Sequence, residues 1–255
     1  MTPGAFAYAQ ARLQSRHGAR PRPIDWRRLQ AVGDVVHYLQ VARRTRLGRW
    51  VEELHGDQDS HSVELALRRQ FCEYIDEVAR WLPHPWRDTL GWLKRLPELP
   101  AIQYLLSGED PQPWMLEDPR LRAFTRGDRE QRLLVLGQSD CAPLAAAWER
   151  GEPIASAWLE HWRDSWAPGG AAGEGLEHLT RSLRRFLGAP DPQDAGDFER
   201  ARDLLLAQLT LIFRRYSFQP AACYAHLALT ALDLMTLRAD LLRRMLFTAA
   251  EAGPL

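Results

Sequence analysis

The strongest constraint on the fold comes from residues 221–247, a stretch of 27 residues without a glycine or a proline. It is rich in leucine and alanine, which are strong helix formers, and it carries only two acids and three arginines. The stretch therefore predicts one long helix. At 100° per residue His226, Thr230, Asp233, Asp240 and Arg244 fall on one narrow stripe, while Arg238 and Arg243 lie off it. The rest of the surface is so widely apolar that we expect neighbouring helices to bury it.

The same stretch is too short to span a membrane. Its charge-free run, residues 217–232, has 16 residues and includes Gln219, Pro220 and His226, whereas a transmembrane helix needs about 20 apolar residues. The first residues lack the basic and then apolar pattern of a signal peptide. The three cysteines are odd in number and far apart, which does not fit a disulfide framework. We therefore expect a reduced, cytoplasmic protein with no direct membrane span.

Helical signals recur along the rest of the chain, while strand signals are nearly absent. Apolar spacing, capping residues and breaks at glycine and proline predict helical segments at 5–18, 24–54, 61–81, 86–106, 120–136, 142–166, 176–187 and 198–216. Residues 24–54 would form one or two helices, and the segment at 86–106 would break near Pro97 and Pro100. The predicted fold class is all-α, built from repeated helical bundles. We divide the chain into an N-terminal helical unit (1–108), a middle helical region with loops (109–195) and a C-terminal helical unit (196–255).

A weak internal repeat appears when the chain is shifted by 135 residues. The aligned pairs include Glu64 with Glu199, Arg80 with Arg215, Pro85 with Pro220 and Glu98 with Asp233. Repeated helical units that bury each other's faces would give this pattern. Helical sequences rich in leucine, alanine and arginine also produce such matches by chance, so both interpretations stay open.

Three stretches share an order of motifs with one known family. "AYAQARLQSR" carries Tyr-x-x-Ala-Arg near the start of the chain. "VELALRRQFCEYIDEVARWLPHPWRDTLGWLKRLPELPAIQYLL" and "FQPAACYAHLALTALDLMTLRADLLRRM" each place a proline before an apolar helix that contains an acid and then a leucine. Over residues 5–106 and 176–247 the chain resembles the central-stalk connector family of V-type and A-type rotary ATPases. It departs from the family in its unmatched middle region and at Pro97 and Pro100, which interrupt a helix.

The resemblance implies a non-catalytic subunit of a proton- or sodium-translocating ATPase, coupling the central axle to the membrane rotor ring. It implies helical units around a funnel, of which this short chain would hold an incomplete set. It also implies a peripheral location at the inner membrane face, reached through the membrane complex. Asp233, Arg238 and Glu98 would be structural, tied by ion pairs to neighbouring helices. An all-α cytoplasmic adaptor or scaffold of unrelated role is the alternative, and an α-helical enzyme is a third possibility.

Motifs for catalysis are missing from the sequence. There is no Gly-rich phosphate loop and no HExxH motif, so we expect no catalytic residue, no cofactor and no metal. Glu174 and His178 lie one helical turn apart and could hold a metal, although a solvated helix face is the simpler interpretation. Cys141 has no base near it in the sequence, which argues against a catalytic thiol.

Arginines and tryptophans supply the candidate partner-binding residues. The arginines outside the predicted apolar faces are Arg12, Arg16, Arg43 and Arg46. As a group they could guide association with the axle subunits. Trp158 and Trp162 share a helix face and are the next candidates, because tryptophan is favoured at interfaces, although core packing explains them as well. The net charge of zero and the absence of a recognition motif argue against nucleic acid.

Overall fold

A computed structural model describes residues 3–84, 86–166, 173–188 and 195–251. Within these ranges the chain is helical and contains no strand, which confirms the predicted all-α class. The helices are α1 (Ala7–Gly18), α2 (Pro23–Gln30), α3 (Val35–Arg43), α4 (Gly48–Val51), α5 (Ser60–Ala79), α6 (Trp86–Gly91), α7 (Leu99–Leu106), α8 (Pro113–Glu117), α9 (Arg129–Gly137), α10 (Ala142–Glu149), α11 (Ile154–Asp164), α12 (Gly173–Leu187), α13 (Ala195–Arg215) and α14 (Pro220–Glu251). Short 3-10 helices occupy Pro3–Phe6, Trp92–Glu98 and Arg122–Phe124.

Capping explains where several helices begin. The side chain of Asp34 accepts a hydrogen bond from the His37 amide at 2.7 Å, and Asp59 caps α5 in the same way. Both carboxylates satisfy amide groups that a helix start leaves without partners. The cap at Asp34 is one reason why residues 24–54, predicted as one or two helices, form three separate helices, α2, α3 and α4.

The long C-terminal helix α14 is the central strut of the fold. It packs against α1, α3, α5, α12 and α13. Its apolar residues, among them Leu227, Leu229 and Leu237, are fully buried in one core that runs through all three predicted units. A helix so widely apolar is stable only when neighbours cover it. The unit boundaries near 108 and 195 stay predictions.

Helix bounds can be compared with the predicted repeat. α5 begins at Ser60 and α13 at Ala195, which are 135 residues apart (195 − 60). The helices that follow differ, because α14 is continuous while α6 gives way to a 3-10 segment containing Pro97 before α7 begins. Proline lacks an amide hydrogen and breaks the α-helical ladder. Repeated bundles therefore stay a prediction, and the observation that favours them is the 135-residue offset between the starts of α5 and α13.

The length and apolarity of the helices bear on the membrane question. Among the described residues, no helix is both long enough and apolar enough to cross a bilayer. For residues 217–232 this agrees with the length argument from the sequence.

The tryptophans of α11 require a correction. Trp158 and Trp162 are only 2% and 1% exposed, and their rings stack with centroids 6.3 Å apart. The indole of Trp158 donates to the Trp92 carbonyl at 3.2 Å, and the indole of Trp92 donates back to the Trp158 carbonyl at 2.9 Å. The prediction that Trp158 and Trp162 form a partner-facing patch is therefore wrong. They pack in the core because only burial covers such large apolar rings.

Candidate functional site

A cavity of about 520 Å³ lies between the turn that follows α1, the helices α4 and α5, and the middle of α14. Four guanidinium groups line it, from Arg16, Arg20, Arg46 and Arg49. Trp50 and Tyr74 form aromatic walls, and the polar stripe of α14 supplies the floor through His226, Thr230 and Asp233. The floor residues are buried, whereas the side chains of Arg16 and Arg49 are each 39% exposed and stand at the rim.

Asp233 is held by a two-pronged ion pair at the floor. Arg20 Nε lies 2.8 Å from one carboxylate oxygen, and Arg20 Nη2 lies 3.0 Å from the other. The Asp233 carboxylate is buried. Burial raises the pKa of Asp233 to about 6, against the opposing effect of the Arg20 charge. At pH 7 the pair is ionised, so Asp233 cancels one of the arginine charges.

Glu77 compensates a second charge at the rim. It accepts from Arg16 Nη2 at 2.5 Å and from Arg49 Nη2 at 3.2 Å. Burial works to raise the pKa of Glu77, but the hydrogen bonds from Arg49 and Arg16 outweigh it and hold that pKa below its usual value. One carboxylate thus serves two guanidinium groups. The Arg49 guanidinium also lies 4.6 Å from the ring centre of Tyr74, within cation–π range.

Arg46 completes the electrostatics of the cavity. Its Nη1 donates to the backbone carbonyl of Arg20 at 3.3 Å. No carboxylate of the described residues forms an ion pair with Arg46. Four arginine charges against the two carboxylates of Asp233 and Glu77 leave the group with a net charge of +2 (4 − 2). The cavity is therefore suited to receive a negatively charged group.

A buried histidine on the floor has one nitrogen without a partner. His226 Nε2 lies 2.6 Å from the hydroxyl of Tyr74, while His226 Nδ1 is buried and makes no hydrogen bond. Burial first, then the nearby His17 and arginine charges, lower the pKa of His226 to about 3. Burial also raises the pKa of the Tyr74 phenol. Both groups are neutral at pH 7. When the Tyr74 hydroxyl donates its hydrogen bond to Nε2, the single ring proton of neutral His226 lies on Nδ1.

The structure brings together two of the four predicted arginines. Arg16 and Arg46 line the cavity. Arg12 instead donates to the Tyr8 hydroxyl at 3.2 Å, and Arg43 donates to the Leu54 carbonyl. These two are exposed and stay predictions as partner-binding residues.

Arg20 and Arg49 complete the cationic group and were missing from the predicted partner-binding set. Their sequence signal is spacing: Arg20 follows Arg16 by four residues, and Arg49 follows Arg46 by three. Such spacings place side chains on one side of a helix or its continuing turn.

The predicted structural residues all lie in ion pairs. Glu98 is 2% exposed and accepts from Arg95 Nη1 at 2.7 Å and from Arg120. Arg238 pairs with Glu64 at the edge of the bundle. The first and third units thus each place an acid of the predicted repeat against an arginine from another segment.

Other chemistry considered in the sequence has no matching geometry. Among the described residues, no three His, Cys, Asp or Glu side chains cluster as metal ligands. Glu174 instead accepts from the Tyr216 hydroxyl at 3.1 Å, and His178 packs edge-on against the same ring. Burial raises the pKa of the Cys141 thiol to about 12, so the reactive thiolate is not formed at neutral pH.

Comparisons with known protein families, with curated proteins and with solved structures find no match to this chain.

Proposed function

We propose that the chain is a non-catalytic connector of a V/A-type rotary ATPase, placed between the central axle and the membrane rotor ring. The proposal is supported by the sequence resemblance over residues 5–106 and 176–247 and by the all-α fold with its central strut α14. In such a complex the connector transmits torque, so its own helices must be firmly tied to one another.

One observation carries the proposal. Glu98 and Asp233, the two acids that the 135-residue shift aligns, are both buried, at 2% and 6% exposed. Each pairs with an arginine from a distant segment: Arg120 for Glu98 and Arg20 for Asp233. Buried ion pairs of this kind are costly unless both charges are satisfied, and they fix which elements meet. They are what a torque-bearing assembly of related helical units would need at equivalent positions.

The proposed axle-facing surface is the arginine-rich side formed by α1, α3 and α4. Arg12 and Arg43 are exposed, and Arg16 and Arg46 border the cavity. A positive surface of this kind speeds encounter with an acidic partner more than it tightens the complex.

The test is complex formation with the two axle subunits of the rotary ATPase from the same organism. We expect a stable stoichiometric complex by analytical ultracentrifugation. In stopped-flow measurements, Arg12→Glu combined with Arg46→Glu should slow association severalfold at low salt, with the difference shrinking at high salt. Arg200→Glu on α13, an exposed arginine, is the matched control. Absence of any complex rejects the connector, and an unchanged rate in the double variant rejects this surface.

An adaptor of unrelated role is the second candidate. The cationic cavity favours it, because an anion-binding site with aromatic walls serves recognition in many settings. A chain that binds no axle subunit yet retains a specific acidic ligand would fit the adaptor and not the connector.

A further inference from the structure

The cavity at Arg16, Arg20, Arg46 and Arg49 has the charge and size of a ligand site, and one of its lining residues, His226, has a buried ring nitrogen without a partner. We propose that it binds the phosphate dianion of a small phosphorylated molecule. This inference rests on the cavity alone and holds whether or not the chain is a connector.

Charge identifies the chemical class of ligand. The four arginines and the two carboxylates of Glu77 and Asp233 leave a charge of +2. A phosphate monoester carries a charge of about −1.5 to −2 at pH 7, so one such group neutralises the cavity. A ligand with a single carboxylate would leave half of the excess positive charge without a counter-charge. Guanidinium groups also match phosphate geometry, donating two parallel hydrogen bonds to two oxygens.

The available donors are arranged around the cavity. Arg46 has only a carbonyl partner at 3.3 Å, so its remaining N–H groups are free to turn toward a ligand. Arg16 and Arg49 share one carboxylate, Glu77, and five N–H groups on each guanidinium leave donors to spare. His226 lines the same cavity with a buried Nδ1 that has no partner.

Size argues for an organic group attached to the phosphate. A volume of about 520 Å³ falls within the range of small-molecule sites and exceeds what one inorganic phosphate would fill. Trp50 and Tyr74 wall the cavity, and their side chains are otherwise buried. The walls therefore offer apolar contact to the carbon skeleton, while the arginines hold the phosphate.

The experiment uses the full chain and calorimetric titration at matched ionic strength. Phenyl phosphate, glycerol 3-phosphate, inorganic phosphate, acetate and chloride are the probes. We expect one site per chain, tighter for the two monoesters than for inorganic phosphate, and no saturable binding of acetate or chloride. Inorganic phosphate that binds as tightly as the monoesters would overturn the small-molecule part of the proposal. Acetate that binds as tightly as either phosphate would overturn the phosphate class.

Variants locate the site. Arg46→Gln removes a charge without breaking an ion pair of the described residues, and we expect it to weaken monoester binding about tenfold or more. Arg44→Gln removes the exposed neighbouring charge outside the cavity and should leave the affinity unchanged. Equal effects of the two variants would mean general charge attraction, and the site would be rejected.

A spectroscopic readout keeps the test independent of how the variants fold. In protein with ¹⁵N-labelled histidine, addition of phenyl phosphate should shift the ring signals of His226, which His226→Gln identifies by their loss. His55, exposed on the loop that precedes α5, should not move. Signals of His226 that stay fixed at saturating ligand would overturn the proposal.

Discussion

Arg20, two residues beyond the end of α1, donates two hydrogen bonds to Asp233 in the middle of α14, 213 positions later in the chain. The side chains are 15% and 7% exposed. The pair fastens the first helix to the central strut and forms one wall and the floor of the cationic cavity. Fold and candidate site therefore depend on the same interaction.

Removing the cation of this pair should destabilise the fold in a pH-dependent way. Arg20→Met leaves the buried Asp233 carboxylate without its partner, and we expect a loss of about 3–5 kcal/mol in unfolding free energy at pH 8. At pH 5 the loss should be smaller, because burial already raises the pKa of Asp233 to about 6 and the carboxyl is then protonated. Urea unfolding followed by circular dichroism measures both. The control Arg200→Met, at an exposed pair, should change stability by less than about 0.5 kcal/mol. Equal losses at both pH values would contradict the account.

Mild acid should destabilise the protein. Folding lowers the pKa of His226 to about 3 and that of His17 to about 4, so between pH 6.5 and 4 the unfolded chain binds more protons at both histidines. Asp233 acts in the opposite direction, since its raised pKa makes the folded chain bind a proton below about pH 6. Across these three groups the unfolded chain binds one proton more, which makes stability fall by about 1 kcal/mol per pH unit, with some discount for the half-buried His17.

The variant His226→Gln tests that assignment. It removes one of the two histidine contributions, so the unfolding free energy should fall much less steeply with acid between pH 6.5 and 5 than in the unmodified protein. His55→Gln, at an exposed histidine, should keep the slope of the unmodified protein. A slope that His226→Gln leaves unchanged would show that other groups govern the acid sensitivity.

Core packing by Trp158 should dominate over any role in partner binding. Trp158→Ala removes a buried ring and the hydrogen bond that its indole donates to the Trp92 carbonyl, and we expect a loss of about 3–5 kcal/mol in stability. Leu134→Ala, at a side chain 62% exposed, should cost little. Thermal and urea unfolding measure both variants. A Trp158→Ala protein as stable as the unmodified chain would show that the ring does not pack as described.

Close approach of α12 to the start of α14 gives a prediction with an internal control. A methyl group at Gly175 would lie 2.8 Å from the Ala221 side chain and 2.8 Å from the Tyr216 ring. We expect Gly175→Ala to cost about 1–3 kcal/mol through overpacking. At Gly173, two residues earlier on the same helix, a methyl group meets no atom of the described residues within 4 Å, and Gly173→Ala should be neutral or slightly stabilising. Unfolding transitions that rank the two variants in the opposite order would contradict this packing.

The long helix α14 shows which part of the structure is determined by residues close to one another in the sequence. Residues 221–247 predicted a helix because leucine and alanine favour helix and nothing in the stretch breaks it, and α14 spans Pro220–Glu251. Its polar stripe also followed from the helical period alone. Residues 24–54, predicted as one or two helices, form three, because a capping aspartate at Asp34 and the turns around α4 compete with helix continuation.

The sequence alone predicted the all-α class, most helix positions, the length of the central strut and the stripe that holds His226 and Asp233. Each of these features depends on neighbours within a few residues. The partners that face that stripe could not be predicted, because they come from distant segments. Arg16, Arg20, Arg46 and Arg49 converge on it from two segments of the chain far from α14, and Trp158 turns inward although its helix face alone permitted either side. Helical periodicity places a side chain on a face, but burial and ion pairing between distant segments decide what that face meets.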